Sequence, residues 1–269
     1  MSSMLRAVLL LGFLTGIFLA IGFYFGGIGG MSLGLVLAFA TNFFSYWYAD
    51  KFVLALYGAK PYGDRKMNHI VEKIAEKAGI PKPPLYIVNM DVPNAFATGR
   101  NAKHAAIAVT KGLVDKLNDK EIEAVLSHEI GHVTNKDVLI GTLAATIAGA
   151  ISWLAYVLFY GSDQKNRNAL SFVLLFFLAP VAATLVRLAI SRSRELSADK
   201  TGAMLSNPED LISALQKISA HAKATPLQGN SATSHLFIVN PFSGASLAGL
   251  FSSHPPLETR VARLKEMKP

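Results

Sequence analysis

Five consecutive residues, His128-Glu129-Ile130-Gly131-His132, carry the most chemistry in this sequence. On an α-helix, residues four apart point within about 40° of each other. His128 and His132 would therefore stand one turn apart on the same side, with imidazoles able to share a metal ion. Glu129 would project beside them, close enough to take a proton from a water on that metal. This is the helix-borne pattern with which zinc sites activate water for hydrolysis. The same pattern could decorate a surface helix with two solvated histidines, so the surrounding sequence has to decide.

A helix is well specified here. Asn118, with Glu121 three residues later, fits a capping box. Ile122, Val125, Leu126 and Ile130 then recur at spacings of three and four and make an apolar stripe. The H-E-x-x-H lies slightly off that stripe, where the wall of a buried cleft would be.

The elements that must hold this helix are read from composition. The chain has 269 residues, 51% of them hydrophobic and only 16% charged, where a soluble domain carries about a quarter charged residues. Mean hydropathy is +0.35, which points to a membrane protein. With no cysteine, disulfides and thiolate ligands are excluded, so a zinc site must use His, Asp or Glu. The formal charge of +8 comes without an aromatic-interleaved basic motif, which argues against nucleic acid.

Four apolar runs predict membrane spans, each near the ~20 residues needed to cross a bilayer. They cover residues 5–26, 32–49, 138–160 and 169–190. The glycines of residues 26–30 predict a tight turn between the first two, and Tyr46, Trp47 and Tyr48 resemble an interfacial aromatic belt. The long first run lacks a clear cleavage site, which favours a span over a signal peptide. Two polar blocks remain, 51–137 and 191–269, separated by the second hairpin with its short loop 161–168. In the first block, Met67, Ile70, Val71, Ile74 and Ala78 predict an amphipathic helix stopped by Gly79. Strands are predicted at 85–88 and about 105–109, then a short helix at 111–117. The second block predicts helices at about 208–222 and 257–267, with a Gly-, Ser- and Thr-rich loop at 225–253.

Four spans put both blocks on one side, and those blocks hold 22 of the 26 Lys and Arg residues. Excess Lys and Arg marks the cytoplasmic side, so the H-E-x-x-H is expected to face the cytoplasm. A transporter or metal-sensing membrane protein would carry ionisable groups at mid-membrane. These spans have none at their centres, Arg187 lying near an end. A catalytically dead scaffold would not need Glu129.

Two histidines leave a catalytic zinc site one protein ligand short. His132 lies six residues before the third span and Glu195 five residues after the fourth. With unbroken helices, both would stand about 8–9 Å from the membrane edge, so the hairpin would bring Glu195 to the histidine pair at equal height. Asp199, one turn beyond Glu195, could accept the other ring N–H of a zinc histidine.

Several stretches together resemble the HtpX-type heat-shock membrane metalloproteases, related to the prenyl-protein (CAAX) endoproteases. They are Asn94 to Gly99, Leu126 to His132, Ser193 to Asp199, and Ser253-His254-Pro255-Pro256, in an order of spans and blocks that also matches. The resemblance implies a mainly α-helical membrane protein with four transmembrane helices. Its cytoplasmic α+β domain would be gluzincin-like and contain a small sheet. His128, His132 and Glu195 would hold one zinc ion per chain, with Glu129 as general base. Asp199 would stand behind His128. His254 would steady the oxyanion, with Arg260 assisting it or fixing a loop. Asn94 and Ala95 would form the edge strand that pairs with substrate. The resemblance further implies polypeptide substrates, damaged or misassembled membrane proteins among them, and residence in the bacterial inner membrane. His69, His104, His221 and His235 have no partner at ligand spacing and are expected at the surface.

Overall fold

The computed structural model describes residues 3–143, 146, 192–224, 236–239 and 255–267. The third and fourth expected spans therefore lie almost wholly outside the described residues, as do the loop 161–168, His235 and His254.

The N-terminal apolar sequence forms α1, Ser3–Leu56, broken at Gly26 and Gly27. Gly27 has φ 56° and ψ −140°, a conformation open to glycine but not to residues with a Cβ. The break folds the helix back on itself. Asn42 Nδ2 donates to Thr15 Oγ1 at 2.9 Å and to Leu11 O at 3.3 Å, whereas residues 27 apart on a straight helix would be about 40 Å apart. A Cβ on Gly22 would strike the Gly30 carbonyl, and one on Gly34 would strike that of Phe18. Small residues thus let the two arms touch at backbone distance, as membrane helix pairs do. The expected turn at 26–30 shrinks to two residues, because helix geometry resumes once Gly27 has reversed the chain. Among the described residues, this is the one stretch long and apolar enough to cross a membrane.

The second arm also runs past the expected end at residue 49. Its last turns leave the apolar arm to pack on protein: Val53 and Leu54 cluster with Val88, Phe96, Ala106, Ala108 and Leu236. The sheet they cover has the order β1-β2-β4-β3, with β1 Lys60–Pro61, β2 Leu85–Val88, β3 Ala95–Gly99 and β4 Ala105–Thr110. β2 and β4 are parallel, while β1 and β3 run antiparallel to their neighbours. Alternation sorts the two faces. Ala106 and Ala108 meet α1, whereas Ile107 and Val109 join the main core with Val71, Ile74, Val125, Leu126 and Leu215.

That core is built from helices: α2 Arg65–Ala78, α3 Lys111–Lys116, α4 Asp119–Thr134, α5 Arg192–Leu205, α6 Pro208–Ala224 and α7 Leu257–Lys265. Gly79 ends α2 in a left-handed conformation. The capping box of α4 is present in both directions, between Asn118 and Glu121. Glu121, itself buried, also binds Ser213 and Lys217 of α6, so one carboxylate starts α4 and pins it to a neighbour.

α4 ends just after the second histidine. Lys136 takes φ 61°, Asp137 N donates to His132 O at 2.9 Å, and helical backbone resumes at residue 138. The expectation of a helix unbroken into the third span is therefore corrected: a left-handed turn separates them. Glu195 still reaches the histidines, because α5 packs directly against α4. Two glycines permit this approach. A Cβ on Gly202 would lie 2.8 Å from His128 N, and one on Gly131 would lie 3.0 Å from Ala198 O.

Gly202→Ala should therefore push α5 away from the backbone of His128. Overpacking of this kind costs about 1–3 kcal/mol. A clearly lower unfolding temperature of the purified protein is expected; an unchanged one would show that the helices have slack at this contact.

Candidate active site

α4 brings His128, Glu129 and His132 to one wall, and α5 supplies Glu195. Ligand atoms of His128, His132 and Glu195 lie within 4.8 Å of one another. Glu195 Oε1 is 3.4 Å from His132 Nε2, and its Oε2 is 3.8 Å from His128 Nε2. Ligands about 2.0–2.1 Å from a tetrahedral cation stand roughly 3.4 Å apart, so this donor set fits one ion. The two rings are near perpendicular, at 87°, and both turn their ε nitrogens to the shared carboxylate.

The δ nitrogens face the other way. His128 Nδ1 lies 2.9 Å from Asp199 Oδ1. Asp199 in turn takes two bonds from Arg260, at 2.8 Å from Nε and 2.6 Å from Nη2. Arg260 is only 2% exposed and also donates to the Ile238 carbonyl. Burial alone would raise the Asp199 pKa; the Arg260 guanidinium outweighs it and, with His128, holds the carboxyl well below the usual range. A carboxylate fixed in its charged form accepts the Nδ1 proton, which leaves Nε2 as the ligand atom.

Glu129 is buried, and its Oε2 accepts from Ala97 N at 2.9 Å. Burial raises its pKa, the two histidines pull it down and Glu195 pushes it up, with a net rise. A raised carboxylate is better matched to proton transfer near neutrality. Burial likewise opposes charge on His132, yet Glu195, then Asp137 and Glu129, hold its pKa up to about 9 when no cation competes for the lone pair.

Ala97 belongs to β3, an edge of the sheet. Its N–H and that of Gly99 leave the ladder, for Glu129 and for Thr142 Oγ1 respectively. In an antiparallel strand, alternate residues face outward, so residues 95, 97 and 99 turn their backbone groups away from β4, and Ala95 and Gly99 do so while buried. Asn94 is occupied otherwise. Its main chain pairs with Thr110, its Nδ2 donates to Leu236 O, and its Oδ1 accepts from Ile238 N.

The residues expected at the site thus divide. His128, Glu129, His132, Glu195, Asp199 and Arg260 come together; Asn94 and Ala95 begin the neighbouring edge; His254 lies outside the described residues, although Pro256, two residues on, caps α7. His69 and His104 are exposed, and His221 is half-buried beside Lys116. Sequence reading missed Asp137, which lies 3.7 Å from His132 Nδ1, and Arg194, 3.6 Å from Asp137. An Asp five residues past H-E-x-x-H has no recognised ligand spacing, and only the left-handed turn brings it back. Gly131 and Gly202 were also legible only as small residues.

Residues 61–268 match the sequence profile described as peptidase family M48. A protease HtpX homologue from Pyrococcus furiosus is 48% identical over 97% of this chain and 95% of its own length. One from Sulfurihydrogenibium sp. is 47% identical over 99% and 97%, and one from Desulforapulum autotrophicum 45% identical over 98% and 90%. Among solved structures, Ste24p of S. mikatae shares the fold, with a TM-score of 0.56 at 19% identity. That match covers 97% of this chain but 65% of Ste24p, so the chain spans just under two thirds of that protein.

If His132 is protonated up to about pH 9, a cation must displace that proton to bind. Metal affinity should then rise about tenfold per pH unit from pH 7 to 8 and level off above 9. Competition with a chelator at several pH values measures this. Affinity independent of pH in that window would show that His132 is neutral or not a ligand.

Proposed function

The chain belongs to peptidase family M48, and we propose that this metalloprotease is a zinc-dependent endopeptidase that cleaves misfolded or damaged membrane proteins on the cytoplasmic side. The observation that carries the reading is the gathering of His128, His132 and Glu195 with the Glu129 carboxylate beside them. Two histidines, one carboxylate and no cysteine form a donor set suited to zinc.

When bound, the cation supplies a Lewis acid that polarises the scissile carbonyl and acidifies water. The protein's own groups do the rest. Glu129 takes the proton of the attacking water and returns it to the departing amine nitrogen. Ala97 holds Glu129 against the edge strand. Asn94 and Ala95 start that strand, and its outward-facing edge at Ala95 is where an extended substrate would add. His254, next to Pro255 and Pro256, is the proposed donor to the tetrahedral oxyanion. Arg260 acts through Asp199 to orient His128.

The proposed architecture has four spans, at 5–26, 32–49, 138–160 and 169–190, in the bacterial inner membrane. The blocks 51–137 and 191–269 form one catalytic domain facing the cytoplasm. The α1 hairpin, with its exposed Phe23, Phe39 and Phe44, supports a lipid-facing surface, and the Lys and Arg excess supports the orientation.

Glu129→Ala should lower cleavage of an unfolded casein-like substrate by at least ~10²-fold, while zinc content stays at the wild-type level, because the base is not a ligand. Retained activity would remove Glu129 from the mechanism. For topology, a reporter fused after Pro269 should read as cytoplasmic, and a tag within 161–168 should be labelled only from the opposite side. The reverse pattern would overturn the orientation.

A further inference from the structure

His128 has a carboxylate on its δ nitrogen and an arginine behind that carboxylate. The second histidine has the same two groups in the same order, from different parts of the chain. Asp137 Oδ2 lies 3.7 Å from His132 Nδ1, and Arg194 Nη1 lies 3.6 Å from the other oxygen, Oδ1. We propose that Asp137, backed by Arg194, is a positioning residue for His132, fixing its ring so that Nε2 meets the metal. The inference rests on His132 being a metal ligand.

Three observations carry it. The first is how the backbone delivers Asp137. Lys136 adopts φ 61° and Asp137 N donates to His132 O, so the chain doubles back over the last turn of α4. This six-to-one hydrogen bond with a left-handed residue is a helix C-cap arrangement usually made with glycine. Here a lysine bears the strain, which a side chain at positive φ incurs. The second is burial. Asp137 is 8% exposed, and its Oδ2 accepts no hydrogen bond among the described residues. Buried carboxylate oxygens are rarely left so; this one faces the imidazole. The third is the source of Arg194, the residue before Glu195 on α5. The segment that supplies the third ligand therefore also supplies the cation behind the second histidine's carboxylate.

The contact to His132 is 0.8 Å longer than that between His128 and Asp199, so it is a charge contact and not a hydrogen bond at this distance. The ring nitrogen that must carry a proton for Nε2 to bind metal is the one it faces. The competing explanation is structural: Asp137 precedes the helical stretch that resumes at residue 138 and could serve only to start it.

The test uses the full-length protein in detergent and measures zinc affinity by chelator competition, alongside the unfolding temperature of the zinc-depleted protein. Wild type and His132→Ala come first. If His132→Ala binds zinc as tightly as wild type, the ligand assignment fails and this inference with it. With that assignment secure, Asp137→Leu should lower zinc affinity about 10- to 100-fold, the scale for losing a group behind a ligand. Asp137→Asn, which keeps an acceptor oxygen, should restore most of that loss. Lys136→Gly should leave affinity unchanged, whereas Lys136→Val, strained at positive φ, should weaken it without touching the metal. Wild-type affinity in Asp137→Leu overturns the proposal. So does equal loss in Asp137→Leu and Asp137→Asn accompanied by a matching fall in unfolding temperature, since that pattern marks a role in the helix start alone.

Discussion

The buried pair of Asp199 and Arg260 is the constraint on which the site's geometry depends. Arg260 comes from α7, Asp199 from α5, and both are almost wholly buried. Removing two ions from water is costly, and the cost is recovered only when the pairing is close and the remaining polar atoms are satisfied. That condition extends the pair into a chain of contacts. Arg260 donates to Ile238 O, Ile238 N donates to Asn94, and Asp199 meets His128. One continuous polar path thus joins the start of the edge strand, a segment near residue 238, the last helix and the first histidine. Breaking one partner would leave the other as an uncompensated buried charge, so these elements hold one another in register.

Close backbone approach does the rest. Gly131 and Gly202 let α4 and α5 meet where a Cβ would crowd the facing helix, and this distance puts Glu195 between two imidazoles. Gly22, Gly30 and Gly34 do the same for the α1 arms. The second arm then carries Val53 and Leu54 onto the sheet face formed by Phe96, Ala106 and Ala108. The apolar hairpin and the edge strand beside Glu129 consequently share one packed layer. Whatever orients the hairpin therefore also orients the edge strand.

Much of this was legible in the sequence. Local rules wrote the α4 capping box, the glycine stop of α2 and the strand 85–88 directly into neighbouring residues. The gathering of His128, His132 and Glu195 was legible because H-E-x-x-H is local and the stretch around Glu195 has a distinctive pattern. What escaped was set by conformation and tertiary packing. The left-handed Lys136 has no glycine to announce it, so the turn after α4 and the return of Asp137 to His132 were invisible. The equal-height argument placed Glu195 correctly for an incomplete reason, since α5 meets α4 through glycines and not through matched helix lengths. Asn94 was legible as part of the edge motif, but its side chain serves Leu236 and Ile238, more than 140 residues away.

Charge balance links these features to the chemistry. Four carboxylates, from Glu129, Asp137, Glu195 and Asp199, surround the two imidazoles, and Arg194 and Arg260 stand against two of them, Asp137 and Asp199. The cluster thus gathers negative charge in a largely buried place. Protons can offset part of that charge, and the groups whose pKa values are pushed up are Glu129, chiefly by burial, and His132, chiefly by Glu195 against burial. A divalent cation held by His128, His132 and Glu195 would offset that charge too. The same carboxylates that suit the site to a cation therefore also favour a proton on His132. Asp199 stands outside this balance, because Arg260 already holds it charged beside His128 Nδ1.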